Sequence, residues 1–150
     1  MLKIGEKAPD FTLLDENGNE VKLSDFLGKK VILFFYQRDD TPGCTKQALG
    51  FKEYYEHFDK NNTVILGLSK DSSKSHLKFK TKYELPFILL SDPEHKVIEL
   101  YDEWKQKFLY GKPYMGAIRT TFVIDENGIL IDIEEKVKPD TNACKLADRF

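Results

Sequence analysis

The only two thiols in the chain are Cys44 and Cys144. Cys44 stands in Asp39-Asp40-Thr41-Pro42-Gly43-Cys44-Thr45, just past the apolar run Val31–Tyr36. A strand that feeds a helix through Thr-Pro-Gly-Cys puts this cysteine in the first helical turn. There the unpaired backbone N–H groups and the positive end of the helix dipole favour an anionic sulfur. An ordinary thiol, with a pKa of about 8.5, is only about 3% ionised at pH 7, whereas one near 6 is about 90% ionised. A gain of that size makes a nucleophile. Thr41 lies across the turn, within reach of the sulfur or of an oxygen bound beside it. The backbone of Gly43 and Cys44 adds an anion-friendly cradle. The alternative is that Cys44 is an inert, buried, helix-starting hydrophobe.

The elements that must hold this junction alternate between strand-like and helix-like. Val31–Tyr36 and Thr63–Leu68 are continuous apolar runs, as in strands buried on both faces. Thr121–Ile124 and Gly128–Ile133 form a hairpin about Asp125-Glu126-Asn127-Gly128, because Asn-Gly tolerates positive φ. The same four letters at Asp15–Gly18 predict a second hairpin near the N-terminus, between Phe11–Leu14 and Glu20–Leu23. After Cys44, Ala48, Phe51, Tyr54, Tyr55 and Phe58 fall on one helical stripe, expected to be core. Asp71-Ser72-Ser73 caps a helix to about Tyr83, closed by Leu85-Pro86. Phe87–Leu90 follows as a short strand, Asp92-Pro93-Glu94 opens a helix through Leu100, and Pro139-Asp140-Thr141 caps a last helix. Between Trp104 and Met115 the segment reads as irregular, at a pocket mouth or a dimer contact. The fold class is α/β, with a mixed sheet flanked by helices and an N-terminal β-hairpin, in one domain over residues 1–150.

Composition narrows the function classes. A net charge of −2 lacks the basic excess of a nucleic-acid binder. No run is long and apolar enough for a membrane span, and no signal-peptide core is evident, so a cytoplasmic address is expected. His57, His76 and His95 are scattered and make no ligand pair, and no metal or other cofactor is expected. Asp39 and Asp40 are expected to be a solvated turn.

The chain resembles the peroxiredoxins, specifically the bacterioferritin comigratory protein (peroxiredoxin Q) subfamily. The resemblance is carried in order by Gly5–Leu13, Leu23–Phe26, Val31–Tyr36, Asp39–Thr45, Gly67–Ser72, Leu85–Phe87, Leu90–Pro93, Tyr114–Gly116 and Arg119–Asp125. It implies a thioredoxin-like fold and thiol-dependent reduction of hydrogen peroxide or organic hydroperoxides. Carried over residue by residue, Cys44 matches the peroxidatic cysteine, Thr41 the hydroxyl that hydrogen-bonds the peroxide, and Arg119 the arginine beside the thiolate. The product is a Cys44 sulfenic acid.

Two positions depart from the family pattern. Gln37 stands four residues before Thr41, where the family carries proline. Leu49 stands where many subfamily members place a resolving cysteine, and no cysteine lies between Cys44 and Cys144. Cys144 is expected either to pack in the terminal helix or to resolve Cys44. The leading expectation is a one-cysteine peroxidase, with thioredoxin, glutaredoxin or a small thiol as outside reductant, acting as a monomer or weak homodimer. The alternatives are a two-cysteine peroxidase resolved by Cys144, and a peroxide sensor or redox-switched holdase. A thioredoxin-type exchanger is disfavoured, since Thr41 occupies the place of its first cysteine.

Overall fold

A computed structural model describes residues 2–150. The N-terminal hairpin is β1 (Thr12–Leu14) and β2 (Glu20–Lys22), after which Leu23–Phe26 forms a turn of 3-10 helix. The chain then runs β3 (Lys30–Phe35), α1 (Pro42–Glu53), α2 (Tyr55–Lys60), β4 (Thr63–Ser69), α3 (Ser73–Tyr83), β5 (Ile88–Ser91) and α4 (Lys96–Leu100). It continues with β6 (Trp104–Leu109), β7 (Lys112–Ala117), β8 (Thr121–Ile124), β9 (Leu130–Glu134) and α5 (Asn142–Arg149). Seven strands make one mixed sheet in the order β2-β1-β5-β4-β3-β8-β9. The central pairs β3–β4 and β4–β5 are parallel, and the flanking pairs are antiparallel.

Strand β3, inside the sheet, shows why the run Val31–Tyr36 lacks polar residues. Successive side chains point to opposite faces, and both faces are covered. Val31, Leu33 and Phe35 pack with Val97, Ile98 and Tyr101 of the α4 region. Ile32, Phe34 and Tyr36 pack with Ala48, Phe51 and Cys44 of α1, Phe58 of α2, Phe79 of α3 and Leu146 of α5. Among the described residues, no helix is long and apolar enough to cross a membrane.

Local chemistry sets the element ends, sometimes differently from the expectation. In both Asp-Glu-Asn-Gly turns only the glycine takes positive φ, at 79° for Gly18 and 84° for Gly128. The aspartate does the rest: Asp15 Oδ1 accepts from the N–H groups of Asn17 and Asn19, and Asp125 Oδ1 from those of Asn127 and Ile129. The apolar stripe after Cys44 is split between α1 and α2 by a break at Tyr54. Phe51 and Phe58 are buried, while Tyr54 and Tyr55 are half-buried. The helix expected from Asp92 begins later, at Lys96, because Asp92 caps it from outside by accepting from the N–H groups of Lys96 and Ile98.

The segment read as irregular is a two-stranded hairpin of β6 and β7, outside the main sheet. Its turn is Tyr110-Gly111, both at positive φ, 52° and 76°. That backbone matches the twist of a two-residue hairpin, but tyrosine is a rare first residue for it, so the turn was not legible from composition. Lysines interleaved with aromatics also hid the strand alternation.

Candidate active site

Cys44 sits in the first turn of α1, behind the N-cap Thr41 and Pro42 at the first helical position. Proline suits that position, since its missing N–H would have had no helical partner. Cys44 is 1% exposed. The N-cap side chain makes no capping hydrogen bond, so it does not occupy the N–H groups of the first helical turn. The Thr41 hydroxyl donates to the Arg38 carbonyl at 2.9 Å.

Arg119 reaches this turn from the chain entering β8. Its Nη2 lies 3.3 Å from Cys44 Sγ, and its Nη1 donates to Gln47 Oε1 at 2.7 Å. Gly43 makes room for this approach: a Cβ there would lie 3.2 Å from Arg119 Nη2. Gln47 is in turn held from α5, donating from Nε2 to Asn142 Oδ1 at 3.1 Å, an oxygen that also accepts from the Thr121 hydroxyl at 2.9 Å. Gln47 and Asn142 are both fully buried, and this chain of bonds fixes the guanidinium in one orientation. Neither residue stands out in the sequence. Gln47 is legible in hindsight, three residues after Cys44 and so on the same helical face. Asn142 is not, because its partners come from distant parts of the chain.

The loop before Cys44 is anchored by a second buried network, which corrects the expectation of a solvated turn at Asp39. Asp39 accepts from the Tyr36 hydroxyl at 2.6 Å, from the Ser75 hydroxyl at 2.8 Å and lies 2.8 Å from His76 Nδ1. Its own N–H donates to Asp71 Oδ2, and His76 Nε2 donates to the Leu90 carbonyl at 2.8 Å. Burial, then the charge of Asp39, pushes the Tyr36 phenol well above its ordinary value. Ligand atoms of Asp39, Asp71 and His76 lie within 4.8 Å of one another. Both ring nitrogens of His76 are engaged by hydrogen bonds, so the group works as a clamp rather than a cradle for a cation. Asp40 does face solvent, at φ 57°, bonded to Lys82 and Tyr83. Gln37 is also exposed.

Cys144 is not the packing cysteine that one reading expected. It is exposed on α5, while its neighbours Ala143 and Leu146 face the core. Its sulfur lies beside Tyr54 and raises that phenol above its ordinary value. Tyr54 follows the last turn of α1, about 15 Å along the helix from Cys44 at ~1.5 Å per residue. The structure therefore brings together Cys44, Gly43 and Arg119, with Thr41 at the rim, and leaves Cys144 apart.

Residues 4–133 match the model of the AhpC/TSA family. The chain is 50% identical over 137 residues to the peroxiredoxin Bcp of Bacillus subtilis, covering 91% of this chain and 87% of that one. Among solved structures it resembles a mutant peroxiredoxin Q of Xylella fastidiosa, with a TM-score of 0.94 and 28% identity over 99% of this chain and 95% of that one. It also resembles the bacterioferritin comigratory protein of Xanthomonas campestris, described for alkyl peroxide reduction, with a TM-score of 0.88 and 33% identity over 93% of this chain and 88% of that one.

Proposed function

This chain belongs to the AhpC/TSA family and is a thiol peroxidase of the bacterioferritin comigratory protein (peroxiredoxin Q) type on a thioredoxin-like fold, and we propose that it works as a one-cysteine enzyme through Cys44, with an outside thiol as reductant. The observation that carries the reading is the Arg119 guanidinium 3.3 Å from Cys44 Sγ at the start of α1. A fixed cation and a helix N-terminus both favour the thiolate over the thiol. The proton of the Thr41 hydroxyl is committed to the Arg38 carbonyl, which leaves its lone pairs to accept from the O–H of a peroxide. That orients the hydroxyl-bearing oxygen toward the sulfur. Arg119 and the N–H groups of Gly43 and Cys44 then donate to the other oxygen, where charge develops.

In the step itself the thiolate attacks the hydroxyl oxygen. An S–O bond forms as the O–O bond breaks, and the electron pair leaves on the second oxygen, which is protonated to water or an alcohol. Cys44 is oxidised to sulfenic acid and the peroxide is reduced. An outside thiol, from thioredoxin, glutaredoxin or a small molecule, attacks that sulfur, water leaves, and a second thiol frees Cys44. Because Cys44 is 1% exposed, this attack follows opening of the first helical turn. Cys144 is disfavoured as resolving partner by its place at the far end of α1, since a disulfide needs Cα atoms within roughly 7 Å.

Steady-state peroxide consumption with dithiothreitol or thioredoxin tests the reading. Cys44→Ser is expected to abolish turnover and Cys144→Ser to keep it within about twofold of the parent. Loss of turnover in Cys144→Ser would favour the two-cysteine mechanism, and a single turnover without recycling would favour a sensor or holdase.

A further inference from the structure

Toward its turn, the hairpin of β6 and β7 carries one side chain that does not behave like its neighbours. Gln106, Phe108, Leu109 and Tyr110 are exposed, whereas Lys107 is half-buried. A lysine near a hairpin end is free to extend its amine into water, and on an exposed hairpin that is the default. Lys107 instead folds back, and its Nζ donates to the Ala117 carbonyl at 3.3 Å, two residues before Arg119. Gly116 leaves the path open: a Cβ there would lie 3.2 Å from Lys107 Cδ. The folded-back amine enters the field of Arg119 and Cys44. Burial, and then the Arg119 charge, hold it below the ordinary lysine value, while the Cys44 sulfur draws it back up.

Two half-buried cations within each other's field repel, and each has lost part of its hydration. Such an arrangement ordinarily includes a carboxylate. Here no carboxylate forms an ion pair with either Lys107 or Arg119 among the described residues. The partners of Arg119 are the neutral Gln47 and the sulfur, and the partner of Lys107 is a backbone carbonyl. The group that lies 3.3 Å from Arg119 and also opposes the charge of Lys107 is the Cys44 sulfur.

We infer that Lys107 is a second cation of the peroxide site, acting with Arg119 to hold Cys44 as its thiolate. This rests on the reading of Cys44 as the reacting sulfur. It acts through the sulfur's charge state and is a positioning residue rather than one that touches the peroxide. It also gives the β6–β7 hairpin, which lies outside the main sheet, a part in the chemistry.

The test uses a Cys144→Ser background, so that Cys44 alone reports. The rate of iodoacetamide alkylation is followed against pH in the parent, Lys107→Met and Lys107→Arg, alongside the second-order rate constant with hydrogen peroxide. Methionine keeps the apolar stem and removes the charge; arginine keeps the charge. Lys107→Met is expected to move the alkylation midpoint up by about one pH unit and, for a midpoint moving from about 6 to about 7, to slow peroxide reduction at about pH 7 by roughly twofold. Lys107→Arg should restore most of both. An unmoved midpoint in the methionine variant, or an arginine variant as impaired as methionine, would overturn the assignment. Should the methionine variant fail to fold, Lys107→Gln carries the same comparison. Alkylation needs no peroxide, so a parent protein that alkylates normally but consumes no peroxide would instead count against the peroxidase reading of Cys44.

Discussion

Glu103 shows how far one residue can depart from what its type suggests. It is 5% exposed and accepts from the Thr120 hydroxyl at 2.6 Å, next to Arg119 in sequence. Burial pushes its carboxyl up from the ordinary 4.5 to about 7. A carboxyl raised in this way stays protonated when the folded state forms and resists ionising until near neutrality. Its contribution to stability is therefore full below about 4.5 and is lost as pH rises through about 7. Glu103→Gln keeps the shape and cannot ionise. Urea midpoints compared at about pH 5 and about pH 8 should show the parent losing up to about 3 kcal/mol relative to the glutamine variant. Equal pH dependence in the two would contradict the burial argument. Nothing in the sequence around Glu103 signals this, since glutamate usually faces water. Cys44 and Arg119, by contrast, were legible through an ordered motif, while the bond from the Thr41 hydroxyl to the Arg38 carbonyl was not, because a rotamer is settled by its neighbours.

At the scale of elements, the site depends on how α1 is tethered. Its first turn is held from one side by Arg119 at the entry to β8, and its Gln47 face by Asn142 of α5. The loop before it is held from α3, where Ser75 and His76 meet Asp39. Asp39 and His76 are almost completely buried as a pair, so removing one partner leaves a charged or polar group without compensation. Asp39→Ala should cost roughly 3–5 kcal/mol by chemical denaturation, whereas Asp40→Ala, one residue on and exposed beside Lys82, should cost only a small fraction of that. A small effect at Asp39 would show that the clamp is not a structural tie. Adjacent aspartates read alike from sequence, and only contacts 36 and 37 residues away distinguish them. The strands of the main sheet were legible because burial on both faces leaves a continuous apolar run. The β6–β7 hairpin was not, because it is exposed on much of its surface and its turn is Tyr110-Gly111.

For the molecule as a whole, the two thiols occupy different settings of one α1–α5 layer. Cys44 is enclosed at the start of α1 beside Arg119, and Cys144 is exposed on α5 near the other end of α1. The fold thus separates the enclosed sulfur, proposed to meet the peroxide, from the other thiol of the chain. The absence of a cysteine at Leu49 was visible in the sequence, but the position of Cys144 relative to α1 required the packing of α5. The most direct test of this account is intact and peptide mass spectrometry, without reductant, after one equivalent of hydrogen peroxide. The account predicts one oxygen added at Cys44, captured as its dimedone adduct, with no bond between the two cysteines. A stoichiometric Cys44–Cys144 disulfide within one chain, or an unmodified Cys44, would contradict it.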